Sequence, residues 1–359
     1  MKKTLVIVLG LGFLAATLAS HAQAVCDTTV TAPSSIQTAV DTVTDVNLDG
    51  ERVVCLDDSG LGFFQSVVFG SEDSGITLTP EPGDSPVLDG SSLVPADAIR
   101  LLTGVSNVTI EGLEITGYGS AACCGPGMGI QAWNDGTSNI TVQNNYIHGN
   151  TGNAILVGNE RPGLHTGWLV QNNRIEGAGF YLLELTNCAD CTMMKNDVDG
   201  GSFAGIIVQA RNTVPGSGLA TVDGVSILHN TVANAASYGI YVLSYTGVQT
   251  DPFDPVAGAS ILLSSVNISQ NIVSNSGNTG ILFWAFNEGA TAENGRIVKN
   301  TLNCQASKPG IRVLERSASG PFGTVENVKV VNNSFDANCN PQVTDEGEDT
   351  KLPRGLGPY

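Results

Sequence analysis

The stretch Val225-Ser-Ile-Leu-His-Asn-Thr-Val232 alternates apolar with polar residues, reaches Asn230, and returns to an apolar side chain two residues later. Six further stretches repeat this arrangement around one asparagine. The seven asparagines are Asn145, Asn173, Asn196, Asn230, Asn271, Asn300 and Asn333. An apolar period of two with many β-branched residues is typical of β-strands. Because asparagine readily adopts the left-handed conformation, we expect these residues to form the tight turns that end their strands.

A second recurring stretch combines a small residue with the alternating apolar residues that follow it. It occurs at Ile99–Leu102, Ile130–Trp133, Ile155–Gly158, Leu183–Thr186, Ile206–Gln209, Ile240–Leu243, Ile281–Trp284 and Ile311–Leu314. Such repeats predict a solenoid, in which each coil buries its apolar face only by stacking on its neighbours. We expect about eight regular coils in one domain, with the asparagine amides bonded to one another along the axis.

In these repeats the chain resembles the right-handed parallel β-helix proteins of the pectin-lyase-like superfamily, over roughly residues 50–340. The resemblance implies an all-β, single-domain right-handed parallel β-helix. No specific enzyme family is matched, because the paired aspartates and Gly-His-Gly of polygalacturonases are absent. The Asp-Pro-His-Glu signature of mannuronan epimerases is absent too, and Asp251-Pro-Phe-Asp254 is similar to it only superficially.

The two ends of the chain differ from the repeat. Lys2 and Lys3, an apolar run and the small-x-small sequence Ala22-Gln-Ala24 predict a secretory signal peptide over residues 1–24, hence a secreted or periplasmic protein. Residues 25–50 are expected to form an N-terminal cap. Its short helix is predicted by Ser34 and Ser35 followed by an apolar stripe at Ile36, Ala39, Val40 and Val43.

The β-helix itself is predicted over residues 51–340. Its first coils are irregular, with strands expected at Arg52–Leu56, Phe63–Phe69, Gly75–Thr79 and Pro86–Gly90. Residues 341–359 form an acidic tail rich in proline and glycine, in which no strand pattern is visible.

The formal net charge of −18 excludes two classes of partner. A surface this acidic repels nucleic acid and anionic lipid, and it disfavours a polyanionic substrate unless metal ions or a local basic site intervene. No apolar run after the signal peptide is long enough to insert into a membrane. The oligomeric state stays open.

Eight cysteines in an exported chain predict disulfides. Cys304 and Cys339 fall in the same turn of adjacent coils and are expected to pair; Cys26 with Cys55 would tie the cap to the first strand. Cys188-Ala-Asp-Cys191 has the spacing of a redox or zinc motif, but Cys191 aligns with inward apolar positions, which favours a structural role. Cys123-Cys124 lies too far away to complete a zinc site. No metal site is predicted, and calcium is the only cofactor we consider.

Long insertions follow the first strand of several coils and would wall a groove along one sheet. They span Arg211–Thr221, Thr246–Ser265, Asn287–Asn294 and Arg316–Thr324. The outward positions of that sheet combine aromatic side chains with Glu, Gln and Arg, which suits the apolar faces and hydroxyl rims of sugars. The candidate substrate-binding residues are Trp133, Gln209, Trp284, Tyr245, Glu160 and Arg161. The alternative is that the aromatic residues form a satellite core beneath the insertions.

The candidate catalytic residues are Glu184, Arg211, Tyr241 and His165. In a polysaccharide lyase, Arg211 would neutralise a uronate carboxylate while Tyr241 or His165 removes the α-proton. In a glycoside hydrolase, a second acid must stand opposite Glu184, and Glu160 and Asp190 are the candidates. A non-catalytic glycan-binding or adhesin-type protein and a structural periplasmic repeat protein are the alternatives.

Overall fold

A computed structural model describes residues 25–48, 50–58, 60, 62–93, 95–119, 127–133, 136–158, 165–177, 179–214, 218–246, 260–287, 289–315 and 323–345. The predicted signal peptide, Cys123 and Cys124, and the stretch Asp251–Asp254 lie outside these residues. The same holds for the tail beyond Asp345.

Three long parallel sheets contain most of the strands. Sheet A comprises Thr28–Thr31, Arg52–Asp57, Ile76–Pro80, Thr109–Glu111, Thr141–Gln143, Leu169–Gln171, Thr192–Met194, Ser226–Leu228, Asn267–Ser269, Arg296–Val298 and Lys329–Val331. Sheet B comprises Val87–Asp89, Glu114–Thr116, Tyr146–His148, Arg174–Gly177, Asp197–Gly200, Thr231–Ala233, Ile272–Ser274, Thr301–Asn303 and Ser334–Phe335. Sheet C comprises Val67–Phe69, Ile99–Leu101, Ile130–Ala132, Ile155–Val157, Tyr181–Thr186, Ala204–Asn212, Tyr238–Thr246, Thr279–Ala285, Ile311–Leu314 and Val343–Asp345.

The chain visits sheets C, A and B in turn, and each strand pairs in parallel with the strand one coil away. This arrangement is a parallel β-helix, and the eight predicted repeats are eight successive strands of sheet C. Sheet C continues by one strand at each end. The strand Val343–Asp345 corrects the prediction that residues after 340 contain none: Val343 is buried and pairs with Ile311 of the preceding coil.

The asparagine ladder is present as predicted. From Asn145 to Asn333, the Nδ2 atom of each asparagine lies 3.0 Å from the Oδ1 atom of the next. Each Nδ2 atom also donates to a backbone carbonyl of sheet A, as Asn230 does to Met193. The ladder therefore satisfies polar groups inside the turn between sheets A and B, where water is excluded.

The backbone conformation of the ladder residues was predicted wrongly. The residue before each ladder asparagine has the left-handed conformation, for example His229 with φ 56° and Lys299 with φ 58°. The ladder asparagine itself does not. The bend at the preceding residue turns the asparagine side chain into the coil, where its amide reaches both the carbonyl and the next rung.

The interior is filled by inward-facing apolar residues of all three sheets, which form one continuous core. Small residues are required where sheet B turns into sheet C. A Cβ atom at Gly239 would lie 2.2 Å from Cγ1 of Val273 and 2.8 Å from the carbonyl oxygen of Gly280. The small residue of the second repeat is therefore set by close packing between coils.

The N-terminal cap contains the predicted helix, Ile36–Thr42, in which Oγ of Ser35 accepts a hydrogen bond from the amide of Thr38. Ile36, Ala39 and Val40 are buried against the first coil. A further short helix, a 3₁₀ turn, spans Ser71–Asp73. The strand Thr28–Thr31 adds to sheet A.

Three disulfides connect the described cysteines. Cys26–Cys55 and Cys304–Cys339 confirm the two predicted bridges. Cys188 and Cys191 are bonded to each other and fully buried, which fits a structural role for this pair.

The insertions after sheet C are more ordered at their ends than the sequence indicated. A fourth parallel sheet, sheet E, consists of Leu219–Val222, Ser260–Ser264, Ala290–Glu293 and Thr324–Glu326. A two-stranded sheet D, His165–Thr166 with Cys188–Ala189, occupies the corresponding place in earlier coils. In the sequence, each strand of sheets D and E follows a strand of sheet C and precedes a strand of sheet A.

Candidate functional site

The outer face of sheet C carries two rows of side chains in the predicted register. Glu184 pairs with Leu156 on one side and Ile207 on the other, and Ile207 pairs with Tyr241. In the second row, Thr186, Gln209, Leu243, Trp284 and Leu314 are successive partners. The structure therefore brings Glu184, Gln209, Arg211 and Tyr241 onto three neighbouring strands.

Glu184 is the centre of a polar network between three coils. Its Oε2 atom accepts a 2.6 Å hydrogen bond from Nδ2 of Asn153, and its Oε1 atom accepts one of 2.6 Å from Nε2 of Gln209. Oγ1 of Thr186 donates a third, of 3.0 Å, to Oε1. The same Gln209 amide lies 2.9 Å from Oγ1 of Thr186. Only 7% of Glu184 is exposed, so these groups hold the carboxyl in one orientation.

The electrostatic environment of Glu184 has two opposing parts. Burial raises the pKa of its carboxyl above 4.5 because desolvation disfavours the charged form. The Thr186 hydroxyl, the Arg211 charge and the two amides act in the other direction by stabilising the carboxylate, but they offset burial only in part. A raised pKa in a fixed orientation is the property that a general acid requires.

Arg211 lies at the edge of this network. Its backbone is fixed by Asn187 one coil earlier, whose Oδ1 accepts from the Arg211 amide at 2.9 Å and whose Nδ2 donates to the Arg211 carbonyl at 2.8 Å. The guanidinium carbon is 5.7 Å from the ring centroid of Tyr245. Arg211 thus joins the charged network to the aromatic residues.

Those aromatic residues form a second apolar cluster, separate from the β-helix core. Tyr241, Tyr245 and Phe286 are buried in it together with Ile207 and Leu282, while Trp284 is half-buried. The prediction of a satellite core is therefore correct for most of these rings. Burial raises the pKa of Tyr241 well above 10, so its phenol stays protonated at neutral pH.

His165 was predicted in a loop beside the cleft, and this placement is wrong. It lies in the strand His165–Thr166, is 0% exposed, and its Nδ1 atom is 2.7 Å from Oγ1 of Thr137. Burial lowers its pKa to about 4, which keeps the ring neutral. His165 and Trp168, whose indole also bonds Thr137, form an interior polar pair rather than a part of the cleft.

The other predicted residues divide into three groups. Trp133 is 43% exposed on the second outward row, two strands from Thr186. Glu160 and Arg161 lie outside the described residues. Asp190 is exposed in a left-handed turn after Cys188–Ala189, with φ 54°.

Sequence reasoning missed Asn153, the amide contact to Thr186, and the rings of Phe180, Phe203 and Tyr238. Phe180 stacks on Phe203 with centroids 5.0 Å apart and an interplanar angle of 18°. Phe203 meets Tyr238 at 5.2 Å, and Tyr238 stacks on Tyr241 at 4.9 Å. The sequence does contain a pattern that indicates these rings: an aromatic residue lies directly before, or at the start of, each of these three strands of sheet C.

A metal centre has little support in the described part of the chain. One group of three potential ligands within 4.8 Å of one another is found there, Cys304, Asp336 and Cys339. Both cysteines belong to a disulfide, so their sulfur atoms are not thiolate ligands.

The repeat also matches a family of known proteins. A family model described as "Right handed beta helix region" matches residues 95–297, which is more than half of the chain. The chain belongs to this β-helix family. The match confirms the predicted right-handed parallel β-helix.

Solved structures extend the likeness in fold along the chain. A polygalacturonase from Erwinia carotovora ssp. carotovora is 14% identical, with a TM-score of 0.54, and the alignment covers 93% of this chain and 96% of that one. The tailspike gp49 of Acinetobacter baumannii bacteriophage Fri1, a capsular polysaccharide depolymerase, is 13% identical with a TM-score of 0.51. That alignment covers 88% of this chain and 62% of the tailspike. No curated protein sequence matches this chain.

The helices of this protein are short. The α-helix of the cap spans seven residues, and within the described ranges no helix has the length and apolar character to cross a bilayer.

Proposed function

We propose that this protein is exported and hydrolyses glycosidic bonds of a polysaccharide on the outer face of sheet C. The observation that carries the proposal is the Glu184 carboxyl, which is buried, fixed by Asn153, Thr186 and Gln209, and has a raised pKa. Trp284 is half-buried on the same sheet, three strands from Glu184, and offers apolar surface there.

Glu184 would act as the general acid. Its protonated form donates the proton to the oxygen of the glycosidic bond, so that the leaving sugar departs as an alcohol while water supplies the hydroxyl of the new reducing end. A raised pKa keeps this proton on the carboxyl at the pH where the reaction runs. The second carboxylate of such a mechanism is predicted at Glu160 or Asp190.

Lyase chemistry has less support than hydrolysis. The two bases considered for it are His165, which is fully buried against Thr137, and Tyr241, whose phenol holds its proton. Neither is suited to remove an α-proton from a uronate at neutral pH.

Binding without catalysis is the second candidate, and one observation favours it. Three donors already occupy the two oxygens of Glu184, as expected of a carboxylate that orients neighbouring amides. In that case Gln209 and Trp284 would contact a glycan that is held and not cleaved.

The two similar structures support a polysaccharide as the partner. One is a polygalacturonase and the other a capsular polysaccharide depolymerase, both with this fold. Export is supported by the predicted signal peptide, and the disulfide Cys304–Cys339 is consistent with an oxidising compartment.

The products formed from a panel of polysaccharides test the proposal. Neutral and uronate polymers are incubated with the protein, with and without calcium, and both reducing ends and ultraviolet absorption of unsaturated products are measured. Hydrolysis gives reducing ends without absorption. Absorbing products would establish a lyase and contradict the proposed reaction, and binding with no cleavage would establish the second candidate.

A further inference from the structure

The middle of sheet C is almost free of charge. Five consecutive strands form it, Ile155–Val157, Tyr181–Thr186, Ala204–Asn212, Tyr238–Thr246 and Thr279–Ala285. They contain one acidic residue, Glu184, and one basic residue, Arg211. With strands about 4.8 Å apart, this stretch covers roughly 20 Å along the β-helix axis.

The two charges in this stretch act on each other. The Arg211 guanidinium stabilises the ionised form of Glu184, so its positive charge is already partly compensated. Beyond the stretch, Arg100 lies two strands away with its Nε 3.8 Å from a carboxylate oxygen of Asp97. Arg312 lies on the next strand at the other end. The whole chain has a formal net charge of −18.

Aromatic side chains follow an oblique stripe across the same strands. The stripe begins at Phe180, which is 46% exposed and stacks on Phe203, and it continues through Tyr238 and Tyr241 to Trp284. Because one face of the Phe180 ring is covered by Phe203, its exposure is concentrated on the opposite face and the edge. The ring of Tyr181 meets Phe180 edge-on with the centroids 4.7 Å apart, and nearly half of the Phe180 side chain remains exposed beside these two contacts.

We infer that the polymer bound by this face is an uncharged polysaccharide, and that Phe180 is a stacking surface for one of its sugar rings. The inference rests on the proposed function and adds the class of substrate. Neutral sugars present apolar C–H faces to aromatic rings and hydroxyls to amides, and both kinds of group are available here.

A polyuronate lacks positively charged partners on this surface. It carries one carboxylate per sugar, yet roughly 20 Å of the described sheet offers it a single guanidinium, whose charge Glu184 already compensates in part. The overall negative charge of the protein repels such a chain at a distance as well. Charge complementarity therefore selects the neutral polymer.

The test uses pairs of polymers that differ only in charge. Polygalacturonate and alginate are each compared with their carboxyl-reduced forms, and neutral glucans and mannans are added. Binding is measured by affinity electrophoresis and calorimetry at about 0.02 M and 0.2 M salt. We expect at least one uncharged polymer to bind, with an affinity that changes less than about twofold between the two salt concentrations.

Two variants assign the binding to this surface. Phe180→Ala and Trp284→Ala are each expected to weaken binding about tenfold, the loss of one well-placed stacking contact. Phe64→Ala is the matched control, because Phe64 is 53% exposed and precedes the strand Val67–Phe69, four strands away along sheet C. The Phe64→Ala variant should bind the neutral polymer with the same affinity as the unchanged protein.

Three results would overturn the inference. Tighter binding of the anionic parent polymers, falling steeply with salt, would establish a polyanionic substrate while leaving polysaccharide binding intact. Neutral binding that is unchanged in both Phe180→Ala and Trp284→Ala would move the site elsewhere. If no polymer is bound or cleaved, the proposed function fails together with the inference.

Discussion

Nδ2 of Asn153 donates a 2.6 Å hydrogen bond to Oε2 of Glu184 from the preceding coil of the β-helix. Oδ1 of the same amide accepts from the backbone amide of Tyr181 at 3.2 Å, which fixes its orientation. Asn153 therefore orients Glu184, the one acidic residue in the five middle strands of sheet C. It is a positioning residue for the proposed acid.

Among the described residues Asn153 is the one donor to Oε2, and Asn153→Leu removes it. This change is expected to raise the pKa of Glu184 further, because that hydrogen bond favours the carboxylate. A general acid must be protonated to act, so the rate falls as the pH rises through the pKa of Glu184. With a higher pKa, this alkaline limb of the pH–rate profile should move to higher pH. Infrared difference spectra of the carboxyl group measure the same pKa directly. Gln131→Leu, in the same outward row two strands away, should leave both unchanged.

Because His165 is buried, we expect the free energy of unfolding to fall in acid. Its pKa of about 4 in the folded protein lies below the unfolded value of 6.5, so the neutral ring stabilises the fold above pH 6.5, and this contribution is lost as the pH falls toward 4. The full difference is about 3 kcal/mol. Urea unfolding at pH 7.5 and 4.5 should show a smaller decrease in the free energy of unfolding for His165→Gln than for the unchanged protein. His229→Asn, at an exposed left-handed turn, should retain the full decrease. An equal decrease in His165→Gln would contradict the assignment.

We expect the asparagine ladder to contribute to the stability of the fold. Asn230→Ala leaves the Met193 carbonyl and the amides of Asn196 and Asn271 without their partners inside the coil. The free energy of unfolding should fall by about 1 to 3 kcal/mol. Asn303→Ala, at an exposed strand end, should change it by less than about 0.5 kcal/mol. Equal melting temperatures for the two variants would argue against the ladder as a stabilising element.

The disulfide between Cys304 and Cys339 closes a loop with a sequence separation of 35 residues. Replacing both cysteines with serine should lower the free energy of unfolding by about 2 to 4 kcal/mol, because the unfolded chain regains the freedom that the loop removed. Thermal unfolding with and without a reducing agent measures this difference. Without the reducing agent the double variant should melt below the parent, and the difference should shrink once the agent has reduced the disulfides of both proteins. Equal melting temperatures without the agent would contradict the assignment.

The regular coils could be predicted from sequence because their signals repeat. Asn145 to Asn333 recur with apolar alternation on either side, and the register that follows puts Glu184, Ile207 and Tyr241 on successive strands. One error in this part concerned a single backbone angle. The turn needs its left-handed residue immediately before the asparagine, and any of Asn, Lys, His or Gln occupies that position.

The site could be predicted only in part, since its remaining members lie outside the periodic pattern. Asn153 precedes its strand in a turn, and its contact with Glu184 depends on how two coils are stacked. His165 follows a segment of irregular length after Ile155–Val157, so no repeat fixes its direction. The burial of Tyr241 depends on neighbouring aromatic rings that no single strand pattern contains.

Glu184→Gln tests whether Glu184 supplies the proton for cleavage. On the polysaccharide that the panel identifies, its kcat should fall by about 100- to 10,000-fold while the Kd for the uncleaved polymer changes less than about threefold. Glu326→Gln, at an exposed strand end of sheet E, should keep both values. Cleavage by Glu184→Gln at the rate of the unchanged protein would show that Glu184 is not the proton donor.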